Sequence, residues 1–288
     1  MNKNAIERFH KAYIESNTVE LERLWNDVAP KTLVKFYPAQ YLPDGHNYSI
    51  DSIINKKLWI SSPRHFNDPF DSVMNIDYRP ELSVLASQVM VDLFGEQRAH
   101  ELMDTPIFKA AVQSAHIQVQ TGLAQRNSDI EKGIFVSCFT EKENIRSTCM
   151  WAHYADNHSG FCAEFEFNDI KNAGDYGCFP IKYTDEYVLH DNPSSLRESI
   201  EFLLNLVFTK SKSWKNEKEW RIVKLQDAVN SDGGLIDFVL PKKVYLGCKV
   251  KDRLKKDLCL FCHENKIPIY QMKLKPGSFN IKKEKLNI

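Results

Sequence analysis

Two glutamates and an arginine at alternate positions give the clearest chemical signal in the sequence. Glu217, Glu219 and Arg221 lie in the segment SWKNEKEWRI, and side chains two residues apart in a β-strand project to the same face. When two carboxylates share a site, the proton affinity of one of them rises, while a neighbouring guanidinium keeps the other ionised. Such a pair can orient a sugar hydroxyl and stabilise positive charge in a transition state. The alternative is an exposed strand edge with paired charges.

A second candidate site is the segment from Met150 to Gly160, MWAHYADNHSG, which is dense in aromatic rings with polar tips. The rings of Trp151 and Tyr154 are suited to sandwiching a flat group such as nicotinamide or a base. His153 is a candidate general base, although the sequence identifies no partner that would complete a His-based catalytic set. The alternative places Trp151 and Tyr154 in the core, with His153 hydrogen-bonded.

The segment FNDPFD, residues 66–71, gathers an amide and two carboxylates around a proline. This composition is typical of a tight turn whose side chains cap backbone amides. Displayed on a rigid turn after a strand, Asn67 and Asp68 are also candidates to bind ligand hydroxyls or amides. The two roles are compatible.

These residues must be positioned by a mixture of strands and helices. Strands are predicted at 33–37, 57–61, 134–140, 160–167 and 217–224 from short alternating or aromatic runs, and they carry Lys35, Trp59, Ser137 and Phe139. Short helices are predicted at 49–55 and 147–156, and Ser195 and Glu198 predict a capping box for a helix that ends near Lys210. The close of the chain predicts strand, helix and strand at 243–246, 252–265 and 267–273.

This pattern predicts an α+β fold with a central mixed or antiparallel sheet. Helical spacing marks residues 1–30 as a helical N-terminal arm and residues 80–126 as a helical insertion. We expect residues 31–273 to form a single domain and residues 274–288 to form a basic, frayed C-terminal tail.

Composition limits the function classes. The 288 residues contain 38 Lys plus Arg and 38 Asp plus Glu, so the chain lacks the positive field of a general nucleic-acid binder. No segment has the roughly 18 consecutive apolar residues of a membrane helix, and the N-terminus lacks a secretory signal. We therefore expect a cytoplasmic protein without a membrane partner. The seven scattered cysteines are expected to be reduced, and the haem-attachment spacing at Cys259, Cys262 and His263 falls within an amphipathic helix.

The order of the motifs resembles a bacterial domain family of unknown function, found in part near phage-defence genes. The resemblance covers roughly residues 31–272 and rests on FNDPFD, FVSCF, MWAHYA followed by Gly160, Lys210, and WKNEKEWR. The family name itself implies no activity, but the neighbouring genes suggest a toxin or an effector of antiviral defence.

A second resemblance, to NAD-dependent ADP-ribosyltransferases, implies an activity and an ADP-ribosyltransferase-like fold. It rests on a basic residue in a first strand, Lys35, a serine in a later strand, Ser137, and a Glu-x-Glu that enters a further strand. The resemblance implies that Glu219 is catalytic and bonds a ribose hydroxyl of NAD, the substrate, while Glu217 assists the acceptor. Lys35 stands where the family has Arg or His, and FVSCFT is a loose version of its Ser-Thr-Ser motif.

On this hypothesis the residues that bind NAD share an aromatic or polar character. They are Lys35, Trp59, Asn67, Asp68, Ser137, Phe139, Trp151, His153, Tyr154 and Arg221. No metal is required. The expected partners are a protein or nucleic-acid acceptor and an antitoxin or other regulatory protein.

Two other functions stay open. A metal-dependent nuclease would use carboxylate oxygens as Mg²⁺ ligands, and its candidate ligands are Asp68, Asp71, Glu164, Glu166, Glu217 and Glu219. A non-catalytic ligand sensor or interaction module would use the same cleft without turnover.

Overall fold

The computed structural model describes residues 3–15, 17–72, 79–174, 176–185, 202, 205–225 and 232–288. The predicted capping box at Ser195 and Glu198 lies outside the described residues. The helices are α1 (Lys3–Ile14), α2 (Thr18–Val28), α3 (Tyr48–Ile54), α4 (Arg79–Phe94), α5 (Glu96–Met103), α6 (Pro106–Gly133), α7 (Thr148–Tyr154), α8 (Phe167–Asn172) and α9 (Asp252–Glu264). Short 3-10 helices span Pro63–His65, Lys142–Arg146 and Lys212–Glu217.

The strands build one large, mostly antiparallel sheet and a small parallel pair. They are β1 (Thr32–Tyr37), β2 (Lys57–Ser61), β3 (Ile134–Glu141), β4 (Phe161–Glu166), β5 (Gly177–Pro180), β6 (Lys182–Thr184), β7 (Thr209–Ser211), β8 (Glu219–Leu225), β9 (Gly233–Asp237), β10 (Lys243–Leu246), β11 (Ile269–Leu274) and β12 (Ile281–Lys285). The main order is β12-β11-β10-β4-β1-β3-β2-β9, β8 pairs with β3 and β5, and β6 pairs with β7. The predicted α+β class with a mixed or antiparallel sheet is confirmed.

One face of the sheet carries the larger core. Strand alternation places Phe161 and Phe165 of β4 on this face, with Trp220 of β8, and all three are buried. Helices α1, α2, α3, α8 and α9 cover it, and Phe9 of α1 and Leu24 of α2 belong to this core. The N-terminal helices therefore form part of a packed layer.

The opposite face is covered in its middle by α7 and the 3-10 helix before it. Trp151 of α7 is fully buried and packs edge-on against Phe36 of β1. Its indole N–H donates to the backbone carbonyl of Ile145 at 2.7 Å. This small core fixes α7 on the sheet and so determines where the flanking side chains of α7 lie.

Along one edge, strand β3 pairs first with β2 and then with β1. The sheet is open between β1 and β2 where the partner changes. Thr140 pairs with Val34 of β1, whereas Val136 pairs with Ser61 of β2. Between these two pairings the amine of Lys35 donates to the backbone carbonyl of Cys138 at 3.2 Å. A side-chain donor thus satisfies a backbone acceptor at the opening between β1 and β2.

The C-terminal segment and the helical insertion differ from their predicted structure or extent. Ile281–Lys285 pairs antiparallel with β11, with Leu274 opposite Ile281, so this basic segment is a strand and not a frayed tail. It is held because Ile281 is buried in the small core under α7. The helical insertion runs from α4 to α6, longer than the predicted residues 80–126.

Among the described residues no helix has the length and apolar character to cross a membrane.

Candidate active site

A cavity of about 320 Å³ lies on the face of the sheet that α7 partly covers. This volume is at the lower end of the range for small-molecule sites. The lining residues come from β1, β3, β7, β8, α7, the segment after β2 and the 3-10 helix before β8. They are Val34, Lys35, Phe36, His65, Phe66, Asn67, Asp71, Cys138, Phe139, Thr140, Met150, His153, Tyr154, Lys210, Glu217, Glu219 and Arg221.

The two glutamates reach the cavity by different backbone conformations. Glu219 is the first residue of β8, opposite Thr140 of β3. Glu217 instead ends the preceding 3-10 helix, and Lys218 between them adopts a left-handed conformation with φ 47°. The prediction that a strand begins at Glu217 is therefore wrong, because the 3-10 helix runs to Glu217 and Lys218 is not extended. Both carboxylates nevertheless line the same cavity.

The backbone of Glu217 is fixed by a buried amide. Nδ2 of Asn144 donates to the carbonyl of Glu217 at 2.7 Å, to that of Asn216 at 2.9 Å and to Oγ1 of Thr140 at 2.7 Å. The hydroxyl of Thr140 in turn donates to the carbonyl of Glu217. Sequence analysis did not single out Asn144 or Thr140, since nothing local to ENIR or FVSCFT marks a partner some 70 residues away.

Arg221 is the fixed cation at the base of the cavity. It is fully buried, and Nε donates to Oε1 of Glu219 at 2.6 Å. Nη1 and Nη2 donate to the two carboxylate oxygens of Asp71 at 2.8 and 2.5 Å, and Nη1 also donates to the carbonyl of Val207. The ring of Phe66 lies 4.9 Å from the guanidinium carbon. With its donors engaged in this way, Arg221 holds the acidic groups in place.

Lys210 joins the two glutamates. Its amine lies 2.7 Å from Oε2 of Glu217 and 2.8 Å from Oε2 of Glu219, with Oδ2 of Asp71 at 3.5 Å. These carboxylates raise the pKa of Lys210 against the opposing effect of burial, so the amine stays charged. Lys210 was noted in the sequence only as part of a family motif, and Asp71 only as a metal-ligand candidate.

The two glutamates differ in ionisation. Burial opposes the charge of Glu219, but Arg221 and Lys210 outweigh it and hold the pKa of this carboxylate at about 2. Burial raises the pKa of Glu217 above its ordinary value, with Lys210 and the hydroxyl of Tyr154 only partly compensating. Glu217 is thus the member of the pair that takes up a proton more readily, as is typical of an acid–base group.

Tyr154 brings α7 into the site. Its hydroxyl donates to Oε1 of Glu217, and Nδ2 of Asn67 makes a long contact of 3.5 Å to the same hydroxyl. His153 also lines the cavity, with its ring centre 6.1 Å from that of Tyr154. The structure therefore brings the FNDPFD turn, α7 and β8 to one place.

Lys35 supplies a further cation. Its amine lies 5.4 Å from the ring centre of Phe139 and 5.8 Å from that of Tyr37. Burial lowers the pKa of this amine, opposed by the charge of Glu219. Among the described residues no carboxylate lies within ion-pair distance of it. Lys35 therefore offers a cation to a ligand, whereas Phe139 lines the cavity but is only 2% exposed and packs into the larger core.

The structure does not bring four of the predicted binding residues to the cavity. Ser137 is buried on the opposite side of β3 from Cys138 and Thr140, and its hydroxyl has no hydrogen-bond partner among the described residues. Trp59 is 51% exposed on β2. Trp151 belongs to the small core, and a carboxylate oxygen of Asp68 accepts from the amide of Phe70 as a turn cap. In each of these cases local packing or turn geometry determines the direction of the side chain.

The carboxylates considered for a metal site are dispersed or already neutralised. Glu164 of β4 is buried and bonded by Lys142 at 2.8 Å and by the hydroxyl of Tyr245 at 2.5 Å. Glu217 and Glu219 are held by Lys210, which occupies the position between their oxygens that a divalent cation would need. Within the described ranges no cluster of three or more His, Cys, Asp or Glu side chains is arranged to bind a metal ion.

The candidate site is a small cavity on the sheet of an α+β fold, with a buried network of acidic and basic side chains at its base. Residues 150–222 match the model of a family described as a protein of unknown function, DUF2971. The match includes α7 and the start of β8, and so contains His153, Tyr154, Lys210, Glu217, Glu219 and Arg221 of the cavity. No curated protein and no solved structure matches the chain.

Proposed function

We propose that the cavity is the active site of an enzyme that cleaves the N-glycosidic bond of NAD and transfers ADP-ribose to an acceptor. The observation that carries the proposal is the environment of Glu217. This carboxylate lines the cavity with a raised pKa, and Tyr154 and Lys210 orient its two oxygens. A carboxylate held in this way is suited both to facing a cationic sugar and to accepting a proton.

The roles of the two glutamates are exchanged relative to the ADP-ribosyltransferase resemblance. Glu219 is 3% exposed and both its oxygens are engaged by cations, one by Arg221 and one by Lys210, so it is poorly placed to bond a ribose hydroxyl. One oxygen of Glu217 is instead held by the neutral hydroxyl of Tyr154. We assign Glu219 as a positioning residue that fixes Lys210, and Glu217 as the group that faces the substrate.

The chain's own residues would then act on NAD in two ways. As the bond between ribose C1′ and nicotinamide breaks, its electron pair leaves with nicotinamide, and the carboxylate of Glu217 stabilises the positive charge left on the sugar. The acceptor then bonds to C1′, and its proton passes to Glu217. The amine of Lys35, which lines the cavity, supplies a cation for the rest of the substrate.

The test is nicotinamide release from labelled NAD, with and without cell lysate as a source of acceptors. Glu217→Gln keeps the shape and the Tyr154 contact but removes the exchangeable proton, and we expect a loss of about 10²–10⁴-fold in turnover. The matched control is Glu166→Gln, a glutamate at the end of β4 that does not line the cavity.

Three results would count against the transferase. No turnover of NAD by the wild type, with thermal stabilisation by NAD alone, would identify a ligand sensor. Cutting of nucleic acid that requires Mg²⁺ would identify a nuclease. Equal turnover by the wild type and Glu217→Gln would remove Glu217 from the chemistry.

A role as a toxin-like effector of antiviral defence follows from this proposal and from the family resemblance. An enzyme that consumes NAD or modifies a host acceptor would slow the growth of cells that express it without a restraining partner. Induced expression of the wild type should therefore arrest growth, and expression of Glu217→Gln at the same level should not.

A further inference from the structure

Four cationic side chains lie on the same face of the sheet as the cavity, and α7 lies between them and the cavity. Lys142 and Arg146 belong to the 3-10 helix before α7, Lys243 belongs to β10 and Lys283 to β12. Lys142, Arg146, Lys243 and Lys283 are called the cationic group below. They come from three elements that are distant in the sequence.

The register of the sheet fixes this position. Val34, which lines the cavity, is opposite Glu164, and Glu164 is opposite Lys243, so the three side chains share one face. Lys283 reaches the same face from the edge strand, with its amine 5.6 Å from the ring centre of Tyr245. The small core under α7 therefore lies between the cavity and the cationic group.

Only part of this positive charge is balanced. The amines of Lys142 and Lys243 lie 2.8 and 3.4 Å from Oε1 of the buried Glu164. In the part of the chain that the structure describes, no carboxylate lies within ion-pair distance of Arg146 or Lys283. Glu164 thus neutralises Lys142 and Lys243, with Glu143 also acting on Lys142, and the unbalanced charge of the group lies on Arg146 and Lys283.

The cations are close enough to repel one another. The pKa of Lys283 is lowered by burial and then by the charges of Lys142, Lys243 and Arg146, with Glu164 opposing. Bringing like charges together costs free energy in the isolated protein, and a bound polyanion would offset this cost.

We propose that the cationic group binds the phosphates of a single-stranded nucleic acid. Positive side chains that line a surface beside an aromatic ring are typical of such binding. Here the half-buried ring of Tyr270 stacks on the buried Tyr245, and its centre lies 5.1 Å from the amine of Lys283. An acidic peptide would match the charge but would have no base to place on the aromatic ring.

Protection of a sheet edge does not account for the cationic group. Lysines on an edge strand such as β12 discourage pairing with another chain, and this explains Lys282 and Lys285. Lys142 and Arg146 lie on a 3-10 helix, and Lys243 lies on an interior strand. The convergence of these three with Lys283 requires another reason.

A further step rests on the transferase proposal: the acceptor of that reaction would be the single-stranded nucleic acid bound by this surface. A strand that crosses the cationic group beside α7 would approach the cavity that Tyr154 borders from that helix. The binding itself does not require NAD or turnover, so the two proposals can fail separately.

The experiment measures the anisotropy of a fluorescein-labelled single-stranded oligonucleotide of about 20 residues, titrated with the full chain without NAD between about 50 and 200 mM salt. The double variant Arg146→Ala, Lys283→Ala removes two phosphate contacts without uncovering Glu164. We expect weaker binding and a salt dependence reduced by about 1.4 in the slope of log K against log salt, at about 0.7 per contact.

The matched control is Lys282→Ala, on the opposite face of β12, where Lys282 pairs with Glu284 at 2.9 Å. This control should bind like the wild type. The proposal is overturned if the wild type does not bind at about 50 mM salt, or if the double variant keeps the wild-type slope. Displacement of the oligonucleotide by polyglutamate as readily as by unlabelled oligonucleotide would instead assign the surface to an acidic protein.

Discussion

Arg221 and Asp71 are 150 residues apart in the sequence and form a buried two-point ion pair, with N–O distances of 2.8 and 2.5 Å. The pair joins the turn after β2 to the central strand β8. Because a buried charge without its partner is strongly unfavourable, the turn and the strand must be placed together. The floor of the cavity therefore forms as one unit with the sheet.

Replacing Asp71 with Asn should destabilise the fold by about 3–5 kcal/mol, because it removes the two-point anionic partner of the buried Arg221 and leaves only Glu219 to balance its charge. Urea unfolding monitored by tryptophan fluorescence measures the change. The matched control is Asp237→Asn, since Asp237 pairs with Lys57 on an open surface and should have little effect. If Asp71→Asn lowers the free energy of unfolding no more than the control does, the ion pair does not stabilise the base of the cavity.

Replacing Ser137 with Ala should be neutral or stabilising by about 1 kcal/mol, because the buried hydroxyl has no hydrogen-bond partner in the described part of the chain. Nicotinamide release should not change either, since Ser137 lies on the side of β3 away from the cavity. Thermal melting and the NAD assay measure the two effects. A loss of turnover in a stable Ser137→Ala variant would restore the role that the ADP-ribosyltransferase resemblance implied.

The pH dependence of stability should separate the two glutamates. Burial raises the pKa of Glu217 in the folded chain, so its contribution to stability is lost as pH rises from about 4.3 through the raised pKa. Burial opposes the charge of Glu219, but Arg221 and Lys210 hold its pKa at about 2. The contribution of Glu219 is therefore present above about 4.3 and lost as pH falls.

Melting temperatures of the wild type, Glu217→Gln and Glu219→Gln against pH test this difference. The stability of Glu217→Gln relative to the wild type should improve as pH rises. The cost of Glu219→Gln should be largest near neutral pH and should shrink in acid. Parallel curves for all three proteins would contradict the assignment.

Turnover should depend on the same proton of Glu217. If its ionised form accepts the proton of the acceptor, kcat should fall as pH drops through the raised pKa of Glu217. The residual activity of Glu217→Gln should lack this transition. A profile that is unchanged in the variant would assign the titration to another group.

Gly160 should be intolerant of any side chain. A Cβ at this position would lie 2.0 Å from the carbonyl oxygen of Tyr37, so Gly160→Ala must displace backbone and should destabilise by about 1–3 kcal/mol. Gly122 in α6 has nothing within 4 Å of the corresponding position. Gly122→Ala should stabilise the helix by about 0.5–1 kcal/mol, and urea unfolding compares the two.

Much of the secondary structure is determined by local sequence pattern. The alternation of GFCAEFEF predicted that Phe161, Ala163, Phe165 and Phe167 share a face, and all four lie in the larger core. The same periodicity placed Trp220 and Ile222 opposite Glu219 and Arg221, and they are buried in that core. A strand has only two faces, so the pattern of side chains decides which one is buried.

The partners of the polar groups were decided by tertiary structure alone. The sequence indicated that one of two neighbouring carboxylates would be protonated more readily, but not that Glu217 would be that residue. This depends on Lys210 and Tyr154, which reach Glu217 from other elements. It also depends on the left-handed turn at Lys218, since a strand there would have placed both carboxylates in equivalent positions.

Neighbours along the chain determine periodicity, whereas ion pairing and burial depend on segments that meet only in the folded protein. The sequence by itself therefore determined strands β1 to β4, β10 and β11, most of β8, and the chemical types that the site could use. Only the tertiary structure could bring Asp71 to Arg221, bury Trp151 in a core, turn Ser137 away from the cavity and hold β12 against β11. The physical reason is that each of these outcomes depends on contacts between residues distant in the sequence. The pattern of neighbouring residues does not determine which of these contacts form.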